Sequence, residues 1–235
     1  MWWIPDNKYT KNLRKIMEKV IKEELEPYME CHNLFTKYQS GFRRNFSCET
    51  TVNHLINRWK FMGKKKKIMA IFLDFKRAFE TIDREILIQK LNTYGMKENK
   101  LEWFRLYLKE RKQMTKVNGT KSDELNNEFG VSQGSILGAL LFIIYINDMP
   151  RVLKRCKIIL YADDTVIYSE GETDDQCKQY LLHDINYWLK MNKLKLNESK
   201  TKLLQINMYD DSIIEINDET IIIVQIYNRQ GLKIK

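Results

Sequence analysis

At 235 residues the chain is long enough to bury a sizeable core and falls between one large domain and two small ones. Its 40 lysines and arginines against 31 acids leave a net charge of +9. That favours a polyanionic partner, because cations that neutralise phosphates release counterions and bind regardless of sequence, although a merely soluble basic chain stays open. The longest apolar stretch, Ile136 to Ile146, is too short to cross roughly 30 Å of hydrocarbon, and the Met1-Trp2-Trp3-Ile4-Pro5-Asp6 start lacks a basic leader followed by an apolar core. Cys31, Cys48, Cys156 and Cys177 are widely spaced, and with His32, His54 and His183 they make no zinc pattern, Cys31 beside His32 being the nearest approach to one. A protein without membrane contact, in the reducing cytoplasm or nucleus and not secreted, is expected.

In chain order, Leu13, Ile16, Met17, Val20 and Ile21 recur at helical spacing, predicting an amphipathic first helix that ends near Pro27. A second helix is expected over Thr50 to Phe61, then a turn at Gly63-Lys64-Lys65-Lys66-Lys67 whose lysines read as a solvated loop, a binding or nuclear-import patch being the alternative. Ile68 to Leu73 is a continuous apolar run closed by Asp74, the pattern of a buried central strand with an acid at its tip. Asp83 is a good N-cap for a helix with Leu87, Leu91 and Tyr94 on one face and Gly95 as its stop, and Leu101, Phe104 and Leu108 mark another helix. Asn118-Gly119 is the strongest short hairpin signal. Ser135 to Asp148 reads as a nearly all-apolar, buried helix. Thr173 with Gln176 forms a capping box that opens a helix with Leu181, Ile185 and Trp188 inward. Alternation around Thr201 to Met208, Ile213 to Ile216 and Ile221 to Ile226 predicts short strands.

The most informative stretch is Ile158-Ile159-Leu160-Tyr161-Ala162-Asp163-Asp164-Thr165-Val166-Ile167-Tyr168, in which two adjacent carboxylates interrupt a β-like run. It reads as two strands meeting at an acidic turn. Ionised aspartates are costly to bury unless something positive neutralises them, and a divalent cation is the natural candidate. If Asp74 and Asp163 converge, they can hold two metal ions roughly 3.5 to 4 Å apart and serve phosphoryl transfer. Hard oxygen ligands point to Mg2+, with Mn2+ as a substitute. A hairpin whose acidic turn simply faces water is the bland alternative.

Taken together, Asp74-Phe75-Lys76-Arg77-Ala78-Phe79-Glu80, Gly130-Val131-Ser132-Gln133-Gly134-Ser135-Ile136-Leu137-Gly138 and Tyr161-Ala162-Asp163-Asp164 resemble three ordered motifs of reverse transcriptases of the non-LTR (LINE-like, jockey-like) retrotransposon class. Gln39-Ser40-Gly41-Phe42-Arg43, Tyr145-Ile146-Asn147-Asp148-Met149-Pro150 and Leu196-Asn197-Glu198-Ser199-Lys200-Thr201-Lys202 agree in the same register, so the likeness runs from about Lys15 to Gly231. The resemblance implies an α+β fold: right-hand polymerase fingers and palm, an antiparallel palm sheet packed on helices, and no thumb. Residues 1–67 would be a fingers portion and 68–235 the palm with the remaining fingers hairpin, ending near the primer grip. The implied activity is RNA-directed DNA polymerisation, adding deoxynucleotides from dNTPs to a DNA primer 3′-hydroxyl on an RNA template. A catalytically inactive nucleic-acid-binding remnant is the alternative, and no protein partner can be named.

By the same resemblance Asp74 and Asp163 ligate the metals, the Phe75 carbonyl completes one coordination shell, and Asp164 sits beside them. Phe79 would exclude a 2′-hydroxyl, or be a simple core aromatic. Gln133, with Gly134 allowing close backbone approach, would reach the incoming nucleotide. Arg43, Lys76 and Lys200 would meet its phosphates, Lys200 as the proton donor to pyrophosphate, with ordinary surface cations as the other reading. The chain departs from the pattern at Glu80, where the family has Asp, at Ser132 and Ala139, where it has proline, and over Met1 to Thr10, which looks unrelated.

Overall fold

The computed structural model describes residues 8–41, 43, 48–62, 66–109, 111–113, 116–117, 120–123, 125–127, 129–132, 134–206, 214–216, 219–221 and 223–227. In chain order the elements are α1 (Lys8–Cys31), α2 (Cys48–Met62), β1 (Lys67–Leu73), α3 (Arg84–Thr93), α4 (Glu98–Leu108), β2 (Arg111–Gln113), β3 (Lys116–Val117), β4 (Thr120–Lys121) and β5 (Leu125–Asn127). They continue with α5 (Gly138–Ile146), α6 (Met149–Val152), β6 (Lys157–Tyr161), β7 (Asp164–Gly171), α7 (Asp174–Asn192), β8 (Lys202–Ile206), β9 (Ile214–Ile216), β10 (Glu219–Ile221) and β11 (Ile223–Tyr227). The chain divides into two compact units, each built from two stretches: Met1–Phe35 with Arg77–Tyr145, and Thr36–Lys76 with Ile146–Lys235.

In the first unit α1 does not stop near Pro27 but runs through it to Cys31. Proline removes one helical N–H bond. The last turn is held instead by buried Leu25 and Met29 and by the Tyr28 hydroxyl, which donates to the Tyr94 carbonyl at 3.1 Å. The expected apolar face is also corrected: Leu13, Ile16, Met17 and Val20 are exposed, while the adjoining stripe of Glu18, Leu25 and Met29 is buried. Glu18 settles there because its carboxylate accepts from the Tyr107 hydroxyl and the Ile136 N–H, both at 2.9 Å.

Helix α3 is capped as its sequence predicts: the Asp83 carboxylate accepts from Ile86 N–H, and Gly95, at φ +96°, closes the other end. The Gly95 and Met96 amides return to Asn92 and Leu91, satisfying carbonyls the helix leaves open. Strands β3 and β4 pair Lys116 with Lys121 and Val117 with Thr120 around Asn118-Gly119, which lies outside the described residues. Helix α5 is buried nearly all round but begins at Gly138, not Ser135, because the Ser135 hydroxyl accepts the Gly138 N–H at 2.9 Å and serves as its cap. It ends at Ile146 because Pro150, opening α6, offers no N–H to continue the ladder.

The second unit carries a five-stranded sheet in the order β11-β8-β1-β7-β6. The β1–β7, β1–β8 and β6–β7 pairs are antiparallel, as expected, but β11 joins β8 in parallel. Parallel neighbours need a crossover of a dozen or more residues, and the stretch carrying the β9–β10 hairpin supplies one. Strand β1 lies in the middle with Ile68, Ala70 and Ile71 wholly buried. Each buried isoleucine contributes about 1.5 to 3 kcal/mol. One face packs Ile68, Ala70 and Tyr168 against Leu55 and Trp59 of α2. The other face takes α7, whose Cys177 carbonyl accepts from the Ser169 hydroxyl at 2.8 Å. Thr173 caps α7 as predicted, and Leu181, Ile185 and Trp188 are buried.

Candidate active site

Tyr161 and Asp164 close the β6–β7 ladder, leaving Ala162 and Asp163 as a two-residue turn. Such turns need a positive φ to match strand twist, normally from glycine or asparagine. Here Ala162 supplies it at φ 58°, at a cost of about 1 to 2 kcal/mol for a residue with a Cβ. Gln39, only 1% exposed, holds it. Its Oε1 accepts from the Ala162 N–H at 3.0 Å and the Gly41 N–H at 2.8 Å, and its Nε2 donates to the Ala162 carbonyl at 3.4 Å. Neighbouring backbone forms a short parallel bridge to β6: Ser40 N–H donates to the Leu160 carbonyl and Leu160 N–H to the Tyr38 carbonyl.

Asp74 follows the last residue of β1 and is partly buried. Its backbone is gripped by the segment leading into β8, the neighbour of β1 opposite β7. The Thr201 hydroxyl accepts from Asp74 N–H at 3.3 Å and lies 3.4 Å from the Asp74 carbonyl, which also receives the Asn197 N–H at 2.7 Å. Phe75 bridges Leu196, and its ring leans on Trp188. The turn containing Lys200 is thereby held beside Asp74, and the Lys200 side chain is exposed.

Asp163 and Asp164 both face solvent, and the Asp164 carboxyl is pushed above the ordinary carboxylate range, first by partial burial and then by the negative charges of Asp163 and Asp74. The strand tip and the turn therefore sense one another. Among the described residues no three Asp, Glu, His or Cys groups stand close enough to form a ready metal cage. Carboxylates that repel one another when unaccompanied are donors of the kind a hard divalent cation takes.

The remaining sequence candidates fall in different places. The Arg43 guanidinium donates from Nη1 to the Thr36 and Gln39 carbonyls at 3.1 and 3.2 Å, so it braces the segment that carries Gln39. Lys76 is exposed, with its amide on the Lys195 carbonyl. Phe79 belongs to the first unit, half-buried, with its ring 5.1 Å from that of Phe142 and its carbonyl accepting from Val131 N–H. Glu80, one methylene longer than the family residue, meets the Arg77 guanidinium within the same turn. Gly134 takes φ +78° with open space around it, and Gln133 lies outside the described residues. Gln39, Asn197 and Thr201 lie in the motifs, and the sequence alone assigns them no role. No local signal marks them, because each partner is more than 120 residues away in sequence.

A family model described as "Reverse transcriptase (RNA-dependent DNA polymerase)" matches residues 7–220. The chain is 27% identical over 207 residues to the "Probable RNA-directed DNA polymerase from transposon BS" of Drosophila melanogaster, covering 81% of this chain and 22% of that protein. It is 28% identical over 170 residues to the "RNA-directed DNA polymerase from mobile element jockey" of the same organism, covering 69% of this chain and 18% of that one. The chain thus spans about a fifth of the length of these curated relatives. Among solved structures, apo telomerase from Candida tropicalis truncated from its C-terminal domain superposes with a TM-score of 0.55 at 11% identity, over 91% of this chain and 47% of that one. At that identity the likeness is one of fold: helices with a largely antiparallel sheet.

Proposed function

Because the chain belongs to the reverse transcriptase (RNA-dependent DNA polymerase) family, we propose that it is the polymerase region of a non-LTR mobile element, extending a DNA primer on an RNA template with dNTPs. The observation that carries this reading is the meeting, within one unit, of Asp74 at the end of β1 with Asp163 and Asp164 at the β6–β7 turn, each charge felt at Asp164. Residues 1–67 would be a fingers portion, and 68–235 the palm with the remaining fingers hairpin.

Asp74, Asp163 and the Phe75 carbonyl would hold two divalent cations, magnesium or manganese in its place, with Asp164 beside them. When bound, such ions activate the primer hydroxyl and stabilise the leaving oxygen of the phosphoryl transfer. Phe79, its ring steadied by Phe142, would exclude the 2′-hydroxyl of a ribonucleotide. Gln133 would reach the incoming nucleotide, with Gly134 allowing close backbone approach. Lys200, beside Asp74, would hold a proton for the departing pyrophosphate, with Arg43 and Lys76 balancing phosphate charge. The net charge of +9 suits a template and primer of any sequence.

The test is primer extension on an RNA template with labelled deoxynucleotides and magnesium, beside Asp163→Ala and with ribonucleotides substituted. Incorporation that needs Asp163 and prefers deoxynucleotides supports the reading. No incorporation, with primer-template binding equal in both proteins, refutes it and leaves a binding remnant.

A further inference from the structure

Gln39 is far from the acidic turn in sequence, yet its carboxamide occupies both polar groups of Ala162. We propose that Gln39 is a positioning residue of the active site, fixing the Ala162 backbone so that the turn presents Asp163 and Asp164 in one conformation. The inference rests on the polymerase reading for what the turn does, though not for whether the clamp exists.

The geometry suits a carboxamide in particular. Ala162 occupies the left-handed region without being glycine, and a turn so strained persists only where its surroundings determine it. Its N–H needs an acceptor and its carbonyl a donor, and one carboxamide supplies both. The amide orientation follows from its neighbours, since Oε1 receives two backbone N–H groups. The segment carrying Gln39 is itself anchored: Arg43 donates to two of its carbonyls, and the Thr51 hydroxyl of α2 donates to the Ser40 hydroxyl at 3.1 Å. Gly41 permits the approach, because a Cβ there would stand 2.0 Å from the Ala162 nitrogen. Gln39 thus sits on a fixed mount facing the one turn that carries two of the three acids.

Two variants separate positioning from simple stabilisation. Gln39→Met keeps the bulk and removes both polar functions, whereas Gln39→Glu keeps an acceptor and regains a donor only when its carboxyl is protonated. Three readouts apply: amide exchange at Ala162, Mn2+ titration followed by electron paramagnetic resonance, and single-nucleotide incorporation. For Gln39→Met the expected result is exchange at Ala162 at least about tenfold faster with β6 and β7 still protected, weaker Mn2+ binding, and kcat down about 10- to 100-fold with the dNTP KM within about twofold. Gln39→Glu should approach wild-type incorporation as pH falls and lose it as pH rises, each rate taken relative to wild type at the same pH. Unchanged exchange at Ala162 overturns the clamp. Faster exchange with unchanged Mn2+ binding and kcat, or with only KM altered, overturns the positioning role. If the wild type extends no primer, the polymerase reading fails while exchange and Mn2+ binding still decide the clamp. If Gln39→Met does not fold, Gln39→Glu compared at low and high pH decides it by the same readouts.

Discussion

Removing the Asp184 carboxylate should loosen the approach to the acidic turn. Asp184 lies on α7, 2% exposed, and its Oδ2 alone accepts three consecutive backbone N–H groups, from Lys154, Arg155 and Cys156 at 2.9, 3.0 and 3.3 Å. Those residues lead directly into β6, so the carboxylate fixes where that strand begins. Asp184→Ala strands three partly buried donors. At about 1 kcal/mol each, the low end for a lost partner because water reaches the loop, the cost is about 3 kcal/mol. Asp184→Asn keeps an acceptor oxygen without the charge, and neutral bonds are roughly half as strong, so it should lose about half as much. For a chain of this size, 3 kcal/mol corresponds to a fall in Tm of about 6 to 12 °C. Urea unfolding of both variants beside Asp175→Ala, an exposed acid of the same helix, measures the differences. An Asp184→Ala loss below about 0.5 kcal/mol, or an Asp184→Asn loss as large as that of alanine, would refute the reasoning.

Three further outcomes are expected. Thr201→Val preserves shape but takes the hydroxyl from the Asp74 backbone, so urea unfolding should register a loss of about 1 to 2 kcal/mol; no measurable loss would show that water replaces the hydroxyl. Gly41→Ala pushes a methyl into the Ala162 backbone and should cost more than about 2 kcal/mol, whereas Gly134→Ala, strained only by its φ of +78°, should cost about 1; equal losses would contradict the close contact. The Cys177 thiol is pushed up to about 11, mainly by burial, so its folded-state pKa exceeds the unfolded one. Native protein at pH 8 should therefore be alkylated by iodoacetamide at exposed Cys31 and spared at Cys177. The same shift stabilises the fold fully below about pH 9 and is lost as pH rises toward 11. Mass spectrometry that finds Cys177 alkylated at pH 8 as fast as Cys31 would contradict it.

What could be read from the residues was local. The apolar run ending at Asp74 and the acid-interrupted run around Asp163 became β1 and the β6–β7 hairpin because β-branched density and a two-residue turn are properties of adjacent positions. The caps at Asp83 and Thr173 were legible for the same reason. Burial along α1 was not: periodicity marks a helix face without saying whether anything covers it, and Leu13, Ile16, Met17 and Val20 stay exposed while Glu18 is buried by partners about 90 and 120 residues away. The parallel placement of β11 likewise depends on a crossover, which no alternation of residues encodes. At the site the acids announced themselves by charge among apolar neighbours. Gln39 and Thr201 did not, since a neutral polar side chain gains its role only from a backbone that folding delivers.

The central position of β1 has a cost during synthesis. Its partners β7 and β8 lie about 90 and 130 residues further along, and at roughly 5 to 20 residues per second β1 waits about 5 to 20 s for the first of them to be made. Until then Ile68-Met69-Ala70-Ile71-Phe72-Leu73 is an unpaired apolar strand of the kind that recruits other chains. Lys67 and Asp74 bracket it, charges placed where they discourage such pairing on the ribosome. Asp74 would thus guard the nascent strand against aggregation well before the rest of its site exists.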